Sequence, residues 1–67
     1  MRMTVNGEAR DCTAATVAEL CSAEGIETGR RGTAVAVNGQ VVPRAAWERT
    51  SLHEGDRIEI VRALPGG

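Results

Sequence analysis

Apolar and polar residues alternate at the start of the chain. Met1, Met3 and Val5 would share one face of an extended segment, and the residues between them are polar. This period of two is typical of a strand with one buried face. Asn6-Gly7 follows, a pair that favours a tight hairpin turn because both residues tolerate positive φ. The pattern predicts a first strand that returns over residues 8–12 as a second one.

The period then changes to that of a helix. Thr16 and Glu19 have the spacing of a capping box, in which each residue satisfies a free amide of the first turn. Gly25 is placed to end the helix in a left-handed conformation. The apolar stripe between them, at i, i+3 and i+4 spacing, consists of Val17, Leu20 and Cys21. We therefore predict one short amphipathic helix between these caps.

A second hairpin is predicted in the next apolar stretch. Residues 34–37 have the composition of a strand, Asn38-Gly39 repeats the turn signal, and residues 40–42 would return. Pro43 would end that strand, because proline has no N–H to donate to a ladder. The two hairpins carry the same triplet, Val-Asn-Gly, but two similar turns do not make a repeat architecture.

A last strand is predicted near the end of the chain. A short helical turn over residues 45–47 and a loop over residues 52–55 precede it. Residues 57–61 alternate, with Ile58 and Ile60 on the inward face. Trp47 is the one aromatic residue, and we expect it to cover the small core.

The order of elements predicts the fold class. Two hairpins, a crossing helix and a final strand make an α+β domain with one sheet under one helix. Strong alternation suits the first and last strands to central positions. We predict a ubiquitin-like β-grasp fold, with a mixed sheet of four to five strands on one main helix. Residues 1–67 would form a single domain with a flexible tail at about 63–67.

Composition limits the possible partners. The formal net charge is -1, and the sequence has no basic footprint, which argues against nucleic acid as a partner. No apolar run approaches the ~20 residues needed to cross a bilayer, and the first residues lack a signal-peptide pattern. We expect a cytoplasmic protein with no membrane partner.

Residues of the kind that enzymes use are few. Cys12 and Cys21 lack C-x-x-C spacing and His53 is the single histidine, so a structural metal site lacks ligands. Ser51, His53 and Asp56 lie close together on a loop, but nothing predicts an oxyanion hole or a pocket beside them. We expect no metal, no cofactor bound by the chain itself and no catalytic residue.

The final glycine pair, Gly66-Gly67, is the strongest candidate for chemistry. An inert terminal tail is the commonest reading of such a pair. After the last strand of a β-grasp domain, however, it suits a carboxylate that must be activated inside another protein. Glycine has no Cβ, so an extended tail of two glycines can thread a narrow channel.

With these features the chain resembles the ThiS family, the small sulfur carriers of thiamine biosynthesis. The most specific part is Val42-Pro43-Arg44 followed by Trp47, which separates this family from the related small subunit of molybdopterin synthase. The other matching segments are residues 16–20, 36–41, Leu52, 55–61 and Gly66-Gly67. The resemblance covers nearly the whole chain.

The resemblance implies a carrier cycle at Gly67. A ThiF-like adenylating enzyme would activate its carboxylate with ATP and Mg²⁺, and sulfur derived from a cysteine desulfurase would replace the adenylate to give a thiocarboxylate. A ThiG-like thiazole synthase would then take the sulfur. Leu64, Pro65 and Gly66 would thread the partner's active site, so the chain is a protein substrate rather than an enzyme. Pro65 departs from the small or aliphatic residue expected there and would stiffen the tail.

The alternation of the strands also predicts a docking surface. If Ile58 and Ile60 point inward, Val61 points outward, and four residues would form a small apolar patch leading to the tail. These residues are Ala34, Ala36, Val61 and Ala63.

Three alternatives stay open from the sequence. The chain could carry sulfur for molybdopterin or cysteine synthesis, or it could be a ubiquitin-like modifier joined through Gly67 to lysines of other proteins. It could also be a β-grasp binding module with an inert tail. A thiocarboxylate would favour a sulfur carrier, and conjugates with other proteins would favour a modifier. A binding module with an inert tail predicts that deletion of the two glycines changes nothing.

Overall fold

The computed structural model describes residues 1–26 and 32–62, and one mixed sheet of five strands organises them. The strands are β1 (Arg2–Val5), β2 (Glu8–Asp11), β3 (Thr33–Val37), β4 (Gln40–Val42) and β5 (Arg57–Arg62). Helix α1 (Val17–Ala23) follows β2, and a 3-10 helix (Arg44–Arg49) follows β4.

The strand order in the sheet is β2-β1-β5-β3-β4. β1 is antiparallel to β2 and parallel to β5, whereas β3 is antiparallel to both β4 and β5. The first and last strands therefore lie side by side in the middle of the sheet. The predicted mixed sheet on one main helix is confirmed.

Both Asn-Gly pairs form the predicted tight turns. Asn6 and Gly7 have φ values of 50° and 83°, and Asn38 and Gly39 have 52° and 86°. Two successive positive φ angles define the turn whose twist matches a hairpin. The register follows, with Val5 opposite Glu8 and Val37 opposite Gln40.

Helix α1 begins and ends as the sequence predicts. The Thr16 side chain accepts a hydrogen bond from the Glu19 amide at 3.2 Å, and the Glu19 carboxylate accepts one from the Ala15 amide at 3.4 Å. At the other end Gly25 has φ +78°, and the Ile26 amide donates to the Cys21 carbonyl at 2.9 Å. This left-handed cap satisfies carbonyl groups that the last turn would leave free.

The core lies between the sheet and the two helical segments. Trp47 is 2% exposed, and its indole N–H donates to the Val42 carbonyl at 2.9 Å, which confirms its expected place over the core. The helix contributes its predicted stripe, and the strands contribute alternate residues. The main members are Met3, Val5, Val17, Leu20, Cys21, Val35, Leu52, Ile58 and Ile60.

The element limits differ from the predicted ones by one or a few residues. β2 ends at Asp11, where the Cys12 amide still donates to the Met1 carbonyl. The predicted helical turn over residues 45–47 is a six-residue 3-10 helix that starts directly after Pro43. Proline favours this start because its missing N–H is not needed at the beginning of a helix.

Candidate docking face and carrier terminus

The outward face of β5 carries part of the predicted docking patch. Ile58 and Ile60 are buried, and Val61 is 64% exposed. Ala34 lies directly opposite Val61 in the register, and Ala36 lies opposite Glu59. The structure therefore brings these three predicted residues, Ala34, Ala36 and Val61, onto one face of the sheet, which is the orientation that the alternation predicts.

Val41 extends this surface and was missed by sequence reasoning. Val41 belongs to β4, lies opposite Ala36 of β3 and is 73% exposed, whereas the adjacent Val42 packs against the core. Two consecutive valines do not reveal which one points outward, so only the register decides. We call Ala34, Ala36, Val41 and Val61 the outer apolar patch.

Asn6 holds the C-terminal half of β5. The backbone ladder of β1 with β5 covers Val5 and Ile58. Beyond it, the Asn6 side-chain oxygen accepts from the Ile60 amide at 2.7 Å, and its NH2 group donates to the Ile60 carbonyl at 3.2 Å. The amide thus continues the pairing with β5 after the backbone of β1 has turned away.

Asn38 holds the start of β5 in the same way. Its side-chain oxygen accepts from the Arg57 amide at 2.9 Å, and its NH2 group donates to Asp56 Oδ1 at 3.0 Å. Asp56 is itself buried, and its Oδ2 accepts from the His53 amide at 2.7 Å. The carboxylate therefore orders the turn before β5 and joins it to the second hairpin.

The loop residues Ser51, His53 and Asp56 each make contacts that position the backbone. The His53 side chain is 77% exposed, and its Nδ1 lies 3.9 Å from Asp56 Oδ2, which already accepts the backbone bond. Ser51 forms an isolated bridge with Thr16 at the helix start. These contacts position the loop, as expected for turn residues.

The end of β5 is tied to the end of the helix. The Arg62 guanidinium donates to the Glu24 carbonyl at 3.0 Å, next to the negative end of the helix dipole. Arg10 forms an ion pair with the Glu24 carboxylate, and that hydrogen bond raises the pKa of Arg10 above its usual value. Two arginines from the sheet thus meet one helix end.

The two cysteines are free thiols in different surroundings. Cys12 is half-buried and Cys21 is buried in the core. Burial raises the pKa of the Cys21 thiol, an effect that the positive charge of Arg62 partly opposes. Among residues 1–26 and 32–62, no cluster of three or more His, Cys, Asp or Glu side chains could hold a metal ion.

In the described part of the chain, no helix is long and apolar enough to span a bilayer.

The predicted tail lies beyond β5. Ala63, Leu64, Pro65, Gly66 and Gly67 fall outside the described residues. The roles of Ala63 in docking, of Leu64 to Gly66 in threading and of Gly67 as the reacting terminus therefore stay predictions.

The fold and its long-range register define the class of protein. A five-stranded mixed sheet with a central parallel pair, packed on one main helix, is a ubiquitin-like β-grasp domain. The model of the ThiS family matches residues 3–67. The chain belongs to the ThiS family.

Individual relatives agree with this assignment. The chain is 35% identical to the sulfur carrier protein ThiS of Escherichia coli, and the match covers all of both chains. It is 34% identical to part of a thiazole synthase of Paramagnetospirillum magneticum, where the match covers this whole chain but 20% of that protein.

Solved structures show the same likeness. The crystal structure of a ThiS protein from Geobacter metallireducens has a TM-score of 0.79 and 33% identity, with both chains fully covered. A solution structure from the same organism has a TM-score of 0.81 and 33% identity, and covers all of this chain and 88% of that one.

Proposed function

We propose that this chain is a sulfur carrier of thiamine biosynthesis whose working group is the Gly67 carboxylate. The observation that carries the proposal is the extent of the family match, which runs through β5 to residue 67. The full-length similarity to the E. coli sulfur carrier supports it. The chain acts as a substrate for other enzymes, and it performs no catalysis itself.

The chemistry requires an activated carboxylate. A ThiF-like adenylating enzyme joins the Gly67 carboxylate to the AMP part of ATP, with Mg²⁺ held by that enzyme, and pyrophosphate leaves. Persulfide sulfur that originates from a cysteine desulfurase then attacks the carbonyl carbon, and AMP leaves to give an acyl disulfide. A thiol cleaves the S–S bond of that intermediate, which releases the thiocarboxylate and oxidises the thiol to a disulfide. Glycine suits the first two steps because the absence of a Cβ leaves the carbonyl carbon open to attack.

A ThiG-like thiazole synthase is the proposed acceptor of the sulfur. The P. magneticum thiazole synthase contains a segment similar to this entire chain. The presence of such a segment in a thiazole synthase supports a functional link between this chain and that class of enzyme. The outer apolar patch is the proposed docking surface, because it includes Val61 of β5, the strand that leads to the tail, and residues of the strands beside it. Leu64, Pro65 and Gly66 would enter the active site of the partner.

Intact mass spectrometry tests the proposal. The full chain is incubated with ATP, Mg²⁺, a ThiF-like enzyme, a cysteine desulfurase and cysteine, and the product is fragmented to locate any change. We expect one oxygen of Gly67 to be replaced by sulfur. A variant that lacks Gly66 and Gly67 is the matched control and should stay unchanged.

Other outcomes would assign the chain differently. An unmodified Gly67 in the complete mixture would contradict the carrier function. Conjugates of the chain with other proteins in a cell extract would favour a ubiquitin-like modifier. A thiocarboxylate that thiazole synthase does not consume would favour a carrier for molybdopterin or cysteine synthesis.

A further inference from the structure

The carrier chemistry does not use the two Val-Asn-Gly turns, at residues 5–7 and 37–39. Both asparagines are exposed residues with positive φ. Each side-chain amide accepts one hydrogen bond from a backbone amide of β5 and donates another, which goes to the Ile60 carbonyl from Asn6 and to the Asp56 carboxylate, directly before β5, from Asn38. The turns therefore combine a matched local sequence with a specific long-range contact.

An Asn-Gly pair has a reactivity of its own. After loss of its proton to hydroxide, the glycine nitrogen can attack Cγ of the preceding asparagine, since no glycine Cβ obstructs the approach. A bond forms between that nitrogen and Cγ, the bond from Cγ to Nδ2 breaks, and nitrogen leaves as ammonia. Water then opens the cyclic imide to aspartate or isoaspartate. The reaction needs water but no oxidant, and it contributes to the thermal lability of asparagine.

The contacts with β5 oppose this reaction. The amide must leave its partners before Cγ can turn towards the glycine nitrogen. At Asn6 both partners belong to Ile60, and at Asn38 they are the Arg57 amide and the Asp56 carboxylate. Because the reactive conformation lacks these two hydrogen bonds, we expect deamidation of the folded chain to be about tenfold or more slower than that of the unfolded chain.

The two sites differ in what conversion does. The NH2 group of Asn38 lies 3.0 Å from Asp56 Oδ1, and the Asp56 side chain is only 12% exposed. Replacement of that donor by a carboxylate oxygen would place two negative charges in contact, whereas the same change at Asn6 faces the uncharged Ile60 carbonyl. Conversion at Asn38 therefore disturbs β5 more.

We propose that Asn6-Gly7 and Asn38-Gly39 are spontaneous deamidation sites that their contacts with β5 hold in check, and that Asn38 is the more damaging site. The modified chain would lose side-chain hydrogen bonds that position β5, the strand that leads to the tail. This inference concerns the folded domain and is independent of the chemistry at Gly67.

Peptide mapping by mass spectrometry tests the proposal on the full chain. The chain is held at mildly alkaline pH, once folded and once in denaturant, and aspartate and isoaspartate are quantified at both turns. The shared triplet makes the two sites controls for each other, so we expect similar rates in denaturant. In the folded chain both rates should be about tenfold or more lower.

Asp56→Ala removes the acceptor of the Asn38 amide and leaves the Asn6 contacts in place. We expect deamidation at Asn38 to become several-fold faster relative to Asn6, while Asp56→Asn, which keeps an acceptor oxygen, should change the ratio less. Equal rates in the folded and denatured chains, or an unchanged ratio in folded Asp56→Ala, would overturn the proposal. If Asp56→Ala unfolds, both sites reach the denatured rate together and the wild-type comparison decides alone.

Discussion

Asn6 supplies to Ile60 both hydrogen bonds that a neighbouring strand would otherwise supply, and Asn38 supplies one to the Arg57 amide and a second to the Asp56 carboxylate. Each amide has both a donor and an acceptor, so it can replace one peptide unit beside a strand. This explains the choice of asparagine for the turns beyond its tolerance of positive φ. Aspartate also tolerates that conformation, but it lacks the donor.

Asn38→Asp should therefore destabilise the fold at neutral pH, by about 2 kcal/mol. The nearby Asp56 carboxylate raises the pKa of the introduced carboxyl in the folded state. When the pKa of a carboxyl is higher in the folded state than in the unfolded state, its contribution to the free energy of unfolding is fully present below the unfolded pKa. That contribution is lost as the pH rises through the folded pKa. Urea unfolding at mildly acidic and neutral pH measures the difference.

Asn6→Asp is the matched control for this prediction, because it removes the same donor without bringing two carboxylates together. We expect a smaller loss of the free energy of unfolding at neutral pH. A loss for Asn38→Asp that is equal to that of the control, or that does not change with pH, would contradict the argument from charge.

Cys21 gives a second prediction at the residue scale. Burial raises the pKa of its thiol, so the folded state favours the neutral form. Its stabilising effect is fully present below the pKa of an unfolded thiol and is lost as the pH rises towards the folded value. The chain has no lysine or tyrosine, so few other groups titrate in this range.

Urea unfolding at a series of alkaline pH values checks this expectation. We expect the free energy of unfolding to fall with pH in the wild type and in Cys12→Ala. The fall should be much smaller in Cys21→Ala, although burial of a smaller side chain lowers its stability at every pH. The same slope in both alanine variants would show that another group causes the alkaline loss.

At the scale of elements, local signals placed the turns and the helix ends. The Thr16 cap, the left-handed Gly25 and the two Asn-Gly turns depend on residues within a few positions of each other, and all were predicted. β2 was less clear because it is an edge strand and most of its residues are exposed. The length of the 3-10 helix was missed because its one strong apolar signal is Trp47.

Thr16→Ala should lower the free energy of unfolding by about 1 kcal/mol, since the Glu19 amide loses its acceptor. Thr16→Ser keeps an oxygen for that hydrogen bond and should recover most of the loss. Thr13→Ala is the control, because Thr13 is exposed and lies outside the helix. Denaturant unfolding followed by circular dichroism measures all three, and equal losses in Thr13→Ala and Thr16→Ala would contradict the role of the cap.

At the scale of the whole molecule, the sheet separates a buried face from an exposed one. One face packs on the helix, and the other presents the outer apolar patch beside the strand that leads to Gly67. Arg62 ties that strand to the helix end. This arrangement is compatible with the proposed function, in which a partner binds the outer apolar patch while the Gly67 carboxylate reacts.

Val61→Glu should weaken binding to a ThiG-like synthase by about tenfold or more, because a charge would have to be buried in an apolar contact. It should change the free energy of unfolding by no more than about 0.5 kcal/mol, since Val61 is exposed. Ala9→Glu is the matched control, because Ala9 is an exposed residue of the edge strand β2. Titration calorimetry measures both, and equal affinity of the two variants would exclude the patch as the docking surface.

The sequence by itself determined the elements, the turns, the helix caps, the fold class and the resemblance to the ThiS family. The elements, turns and caps follow from positive φ, capping and alternation, which act over a few residues, and the resemblance follows from sequence motifs such as Val42-Pro43-Arg44 with Trp47. Only the tertiary structure decided that Val41 joins the outer apolar patch and that two asparagine amides hold β5. The Asn6 contact with Ile60 joins positions 54 residues apart, and the Asn38 contact with Asp56 joins positions 18 apart. The first contact depends on the parallel pairing of β1 with β5, and the second depends on the antiparallel pairing of β3 with β5. No local pattern encodes either pairing.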